Sequence, residues 1–135
     1  RMVINAGLKE VVIRRTATEF DVVDVQDWID SEDDVPQAAE FAVRIQGDSM
    51  APYIADGELV YVNRDPLREG DVGIFCVDGA MVCKQYVRDG LGMVYLFSLN
   101  RRRADADILL PPSSGRSLAC FGRVILPGRP DIPGQ

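Results

Sequence analysis

The sequence predicts a mainly β domain of twisted antiparallel sheets with short helical turns, on three observations. Apolar and β-branched residues recur in strand-length segments from Phe41 to Leu126, separated by turn residues. An Asp78-Gly79 pair stands between two of these segments, the signature of a two-residue hairpin. The chain has 135 residues, of which 47% are hydrophobic, enough for one domain with a buried core.

Residues 1–40 read as an arm before the core. Val11-Val12-Ile13 and Phe20-Asp21-Val22-Val23 predict one or two short strands. Residues 25–29, around Trp28, predict a brief helical turn. An acidic loop follows at residues 31–34, because Pro36 disfavours helix for the residue before it. The core spans 41–126, with strands expected at 41–45, 58–62, 72–77, 81–87, 93–97, 107–110 and 118–126. Asp89-Gly90 marks a second reversal, and Arg101-Arg102-Arg103, followed by Asp105 and Asp107, reads as a solvated turn. The last segment, 118–126, is apolar and terminal, which makes it a candidate edge strand in need of cover. Residues 127–135 are too rich in proline and glycine for regular structure and are expected to form a flexible tail.

Composition excludes several functions. Fifteen basic against twenty-one acidic residues give a net charge of -6, so this piece lacks the positive surface that dominates nucleic-acid affinity. Cys76, Cys83 and Cys120 are odd in number and lie in apolar stretches without metal-ligand spacing. They read as free thiols of a reducing cytoplasm, and neither metal nor cofactor is expected. No apolar run reaches the ~18 residues of a membrane span, and no secretory signal opens the chain. The chain begins at Arg1 with Met2 behind it, which fits an added residue or the cut end of a longer protein.

The chain has no histidine, so an activated serine must find another base. A lysine can serve if an apolar site strips its proton, and serine-lysine pairs are an established variant of the nucleophile-plus-base arrangement. Ser49, in Gly47-Asp48-Ser49-Met50, falls where the chain turns after a strand, with free amides around it. Read alone, the tripeptide is equally a serine capping a helical turn. Lys84 lies on the return strand of the hairpin, where alternation puts it on one face with Val82 and Tyr86. It is either a desolvated amine or one that snorkels to water from an edge strand.

The ordered set 41–52, 54–60, Gly70-Asp71-Val72, Asp78-Gly79 and Val82-Cys83-Lys84 resembles the self-cleaving peptidase domain of LexA-like and lambda-type repressors and UmuD-like proteins. The resemblance runs from Phe41 to Ile125 and implies the LexA-like, signal-peptidase-like β fold. It further implies Ser49 as nucleophile, Lys84 as general base, backbone amides of Asp48 and Ser49 as oxyanion donors, and Asp56-Gly57 and Gly70-Asp71 as turn formers. The family cuts itself at an Ala-Gly or Cys-Gly bond upstream of the serine, and Ala6-Gly7 is the candidate here. Two departures stand out. The stretch from Gly7 to Ser49 is longer than in LexA, and acidic residues 30–34 lie within it. Implied partners are a second copy of the chain through 118–126, a RecA-type filament or an antirepressor, and DNA only through a domain missing from the N-terminal side. A dormant dimerisation or effector-binding module of the same fold is the alternative. A processing peptidase related to signal peptidases is a third reading, against which the missing membrane anchor argues.

Overall fold

The computed structural model describes residues 10–16, 19–25, 36 and 38–135, with side chains from residue 36 onward. Among these residues nine strands occur: β1 (Glu10–Thr16), β2 (Glu19–Val25), β3 (Phe41–Ile45), β4 (Leu59–Asn63), β5 (Val72–Val77), β6 (Ala80–Arg88), β7 (Val94–Phe97), β8 (Ile108–Leu110) and β9 (Leu118–Val124). They hydrogen-bond into one sheet in the order β2-β1-β3-β4-β9-β5-β6-β7-β8. The protein is mainly β, as the segment pattern predicts. Its pairings are antiparallel except β1 with β3, which run parallel because β2 and residues 26–40 intervene between them. Val25, first residue of the helical turn expected at 25–29, ends strand β2 instead; residues 26–29 and Ala6-Gly7 lie outside the described residues.

The β5–β6 hairpin closes where the sequence places it. Val77 pairs with Ala80, and the two residues between them, Asp78 (φ 50°) and Gly79 (φ 85°), are both left-handed, as a primed turn demands. The Asp78 carboxylate accepts from Arg116 Nε at 2.7 Å and from the Ser117 amide at 2.9 Å, which ties the turn to the segment entering β9. The Arg116 hydrogen bond, then that of the Ser117 amide, holds the Asp78 carboxyl below its ordinary range.

Strand β9 corrects the sequence expectation only in part. Its end, Arg123 and Val124, lies between β4 and β5, whereas Leu118–Phe121 pair with β5 alone and stay exposed, an apolar edge as the sequence predicts. Its union with β5 covers five positions with a register shift between Ile74 and Phe75, whereas with β4 it pairs only Val62 with Val124 and Asn63 with Arg123. Gly122 permits this crossing, since a Cβ there would lie 2.5 Å from Val62 Cγ1 and 2.7 Å from the Asn63 carbonyl oxygen. The sheet thus has two halves, β2-β1-β3-β4 and β5-β6-β7-β8, meeting at β9.

One core cluster draws on both halves: Val43, Val60 and Val62 pack with Val72, Ile74 and Cys83, and Met50 and Ile54 plug it from the loop after β3. On the opposite face of β5 and β6, Phe75, Val77 and Val82 pack with Leu96 and Leu110. The period-2 alternation of strands sends Ile74 and Phe75 to different clusters.

Residues 127–135 lack regular structure but do not hang free, a second correction. The buried Gln85 amide donates to the carbonyls of Gly70 (3.1 Å), Pro130 (3.0 Å) and Asp131 (3.3 Å), and Arg129 pairs with Asp71 at 3.1 Å. Proline and glycine prevent a ladder, but their carbonyls remain acceptors that one buried donor captures.

Candidate active site

The loop after β3 is shaped by local chemistry. Gly47 sits at φ 108° with open space around it, a conformation that L side chains resist. Its amide donates to Asp56 Oδ1 at 2.8 Å, and the Gly57 amide returns to the Ile45 carbonyl at 2.8 Å, so Asp56-Gly57 close the loop's base as turn formers. Met50 and Ile54 are buried, each contributing about 1.5–3 kcal/mol of anchoring, while Ser49 between Asp48 and Met50 stays partly exposed. Among the described residues neither the Asp48 nor the Ser49 amide has a hydrogen-bond acceptor, so both are available to a ligand.

Lys84 approaches from the other half of the sheet. It stands on β6 opposite Gly73, which offers no side chain on that face, and it is 1% exposed. Its Nζ lies 3.2 Å from Ser49 Oγ and 2.9 Å from Ser98 Oγ. The structure therefore brings together the two residues singled out in the sequence, thirty-five positions apart, and the amine is buried instead of snorkelling to water. The adjacent Cys83, wholly buried, has its thiol pushed up to about 12 by desolvation, which the lysine charge opposes. No group of three or more acidic, cysteine or histidine side chains able to hold a metal occurs among the described residues.

Three polar side chains around the pair escaped the sequence reading. Ser98 is fully buried just past β7, and the register that pairs Gln85 with Phe97 puts it across from Lys84. Asn100 donates from Nδ2 to the Asp48 carbonyl at 2.9 Å, and its amide donates to the Ser49 carbonyl at 2.9 Å. Arg103 pairs with the Asp48 carboxylate at 2.6 Å. The basic run is solvent-facing, as read, but it forms the start of a short 3-10 helix, Arg101–Ala106, capped by Asn100. Only the hairpin register, not composition, could have pointed to Ser98.

A family model described as Peptidase S24-like matches residues 3–125. The chain belongs to this family. The match bears out the resemblance to LexA-like and UmuD-like self-cleaving serine peptidases and makes this S24-like domain one of serine-peptidase type. A search of curated proteins returns no match.

Proposed function

We propose that this S24-like domain is the autopeptidase and dimerisation module of a repressor-type transcriptional regulator, with Ser49 as nucleophile and Lys84 as general base. The observation that carries this reading is the 3.2 Å approach of a buried amine to Ser49 Oγ. Burial disfavours the ammonium form, which is what readies a lysine to accept a proton near neutral or mildly alkaline pH. Neutral Lys84 takes the Ser49 proton as Oγ attacks the Ala6 carbonyl carbon. The Asp48 and Ser49 amides receive the developing oxyanion. The proton then passes to the Gly7 nitrogen as the C–N bond breaks, and water, deprotonated by Lys84, hydrolyses the Ser49 ester.

The products are residues 1–6 and 7–135. Cutting would part the dimer module from a DNA-reading domain on the N-terminal side, in the cytoplasm, under the control of a RecA-type filament or an antirepressor. The exposed β9 face, with Leu118 and Phe121, supports pairing of two copies.

Incubation at pH 10 for a day followed by mass spectrometry should reveal a fragment beginning at Gly7. Ser49→Ala and Lys84→Ala should stay whole yet folded, and Lys84→Met should fold at least as stably as wild type because it removes a buried amine. Wild-type cutting by Lys84→Ala would sink the assignment of the base. An uncut wild-type chain would favour the dormant module.

A further inference from the structure

Ser49 rides on the β3 half of the sheet and Lys84 on the β5–β8 half. Along the sheet β4 and β9 share two residue pairs, and beneath it one apolar core packs Val43, Val60 and Val62 on Val72, Ile74 and Cys83, contacts that carry no direction for a polar group. Such a seam does not by itself fix a side-chain separation of 3.2 Å. One segment reaches across it. It leaves β7 at Phe97, passes through Ser98, Leu99 and Asn100, and ends in the 3-10 helix Arg101–Ala106 with Asp107 behind it.

At the lysine end this segment is locked in a closed ring. The Ser98 amide donates to Asp107 Oδ1 at 2.7 Å, and the Ser98 carbonyl accepts from Arg101 Nη1 at 2.9 Å. Arg101 and Asp107 are joined by two parallel hydrogen bonds of 3.0 Å. Both polar groups of the Ser98 backbone thus end on one bidentate ion pair, the most directional charge pair proteins make. The ring leaves the Ser98 hydroxyl 2.9 Å from Lys84 Nζ. At the serine end, Asn100 holds the Asp48 and Ser49 carbonyls, Arg103 holds the Asp48 carboxylate, and the Leu99 amide meets Met50 Sδ at 3.4 Å.

We propose that the segment from Ser98 to Asp107 is a strut that sets the separation of Ser49 and Lys84, with Ser98 as the residue that aims the amine. The proposal rests on the autopeptidase reading and adds to it a division of labour. A neutral amine has one lone pair and two N–H groups, and the lone pair must face the Ser49 hydroxyl for proton transfer. A fixed hydroxyl that accepts one N–H restricts rotation about the Cε–Nζ bond and leaves the lone pair for Ser49. Ser98 acts through the Lys84 amine it touches, so it is a positioning residue.

The test compares wild type, Ser98→Ala, Ser98→Thr and Arg101→Gln in the full chain, each checked for folding by circular dichroism. Two rates are read at one alkaline pH: appearance of the Gly7 fragment, and labelling of Ser49 by a small fluorophosphonate. Ser98→Ala should lose roughly tenfold to a hundredfold in both rates, the scale expected when a reacting group is misplaced by about 1 Å. Ser98→Thr keeps the hydroxyl and should recover to within about threefold of wild type, which a mere packing role would not produce. Arg101→Gln, an exposed change that opens the ring, should fall in between.

Equal rates for Ser98→Ala and wild type would overturn the strut while leaving the autopeptidase intact. So would a Ser98→Thr chain as slow as Ser98→Ala. If wild type labels at Ser49 without cutting, self-cleavage fails and the labelling rates alone decide the strut. If Ser98→Ala does not fold, a wild-type rate in Arg101→Gln refutes the proposal. A wild-type chain that neither cuts nor labels removes both readings.

Discussion

Raising the pH should loosen the fold, through Cys83. This thiol is wholly buried beside Lys84 on β6, and desolvation lifts its pKa from 9.0 to about 12. A folded-state pKa above the unfolded value means stability that is complete below about pH 9 and is lost as pH rises toward 12, because only the unfolded chain releases the proton. At about 1.4 kcal/mol per unit, the loss amounts to ~1.4 kcal/mol at pH 10 and ~2.7 kcal/mol at pH 11. Replacing Cys83 by alanine removes this loss and leaves a small cavity that costs about 1 kcal/mol at every pH. The two stability curves should therefore cross near pH 10, with wild type the more stable below and Cys83→Ala the more stable above. Urea denaturation between pH 8 and 11 measures this, with both chains carrying Ser49→Ala so that cutting does not intervene. The other two cysteines, Cys76 and Cys120, are common to both proteins and cancel in the comparison. Parallel curves with a constant gap would refute the argument.

Two further outcomes follow from the sheet. Gly122→Ala should cost ~1–3 kcal/mol in urea denaturation, because its methyl would press on Val62 and the Asn63 carbonyl and force β9 from β4. An unchanged midpoint would mean the strands separate freely there. Phe121 is 48% exposed on β9, and Phe121→Asp should convert a dimer to a monomer by light scattering at tens of micromolar, if two copies pair through that face. A persistent dimer would place the contact elsewhere.

Local chemistry was legible in the sequence where it decides the structure. Asp78-Gly79 specified its turn because only left-handed backbone joins strands across two residues, and the β5 segment is bounded as the pattern of Val72, Ile74, Phe75 and Val77 demands. That Ser49 and Lys84 come within 3.2 Å is expected from the ordered family resemblance and the absence of histidine, not from the tripeptide or the strand position alone. What escaped depends on pairings remote in the chain. Ser98 is an ordinary serine until β6 and β7 are laid in register. Likewise, β9 reads as a terminal edge throughout until its end, Arg123 and Val124, is found inserted between β4 and β5, strands remote in sequence; Leu118–Phe121 remain the exposed edge. The tail reads as frayed because nothing near it reveals that Gln85, some forty-five positions earlier, supplies its donor.

The thin junction at β9 gives the chemistry a mechanical character. Ser49 and Lys84 ride on two halves of one sheet that share a core, so their separation depends on how the halves sit together and is not a property of either loop alone. Lys84 pairs with Gly73, which pairs with Arg123 of β9, so the amine's strand lies about 10 Å from the joint. A rotation of about two degrees there displaces it by about 0.3 Å, a third of the ~1 Å misplacement that costs about a hundredfold. A contact made on the exposed Leu118 and Phe121 of β9 would therefore bear on the separation of Ser49 and Lys84 from the far side of the joint, without touching either residue.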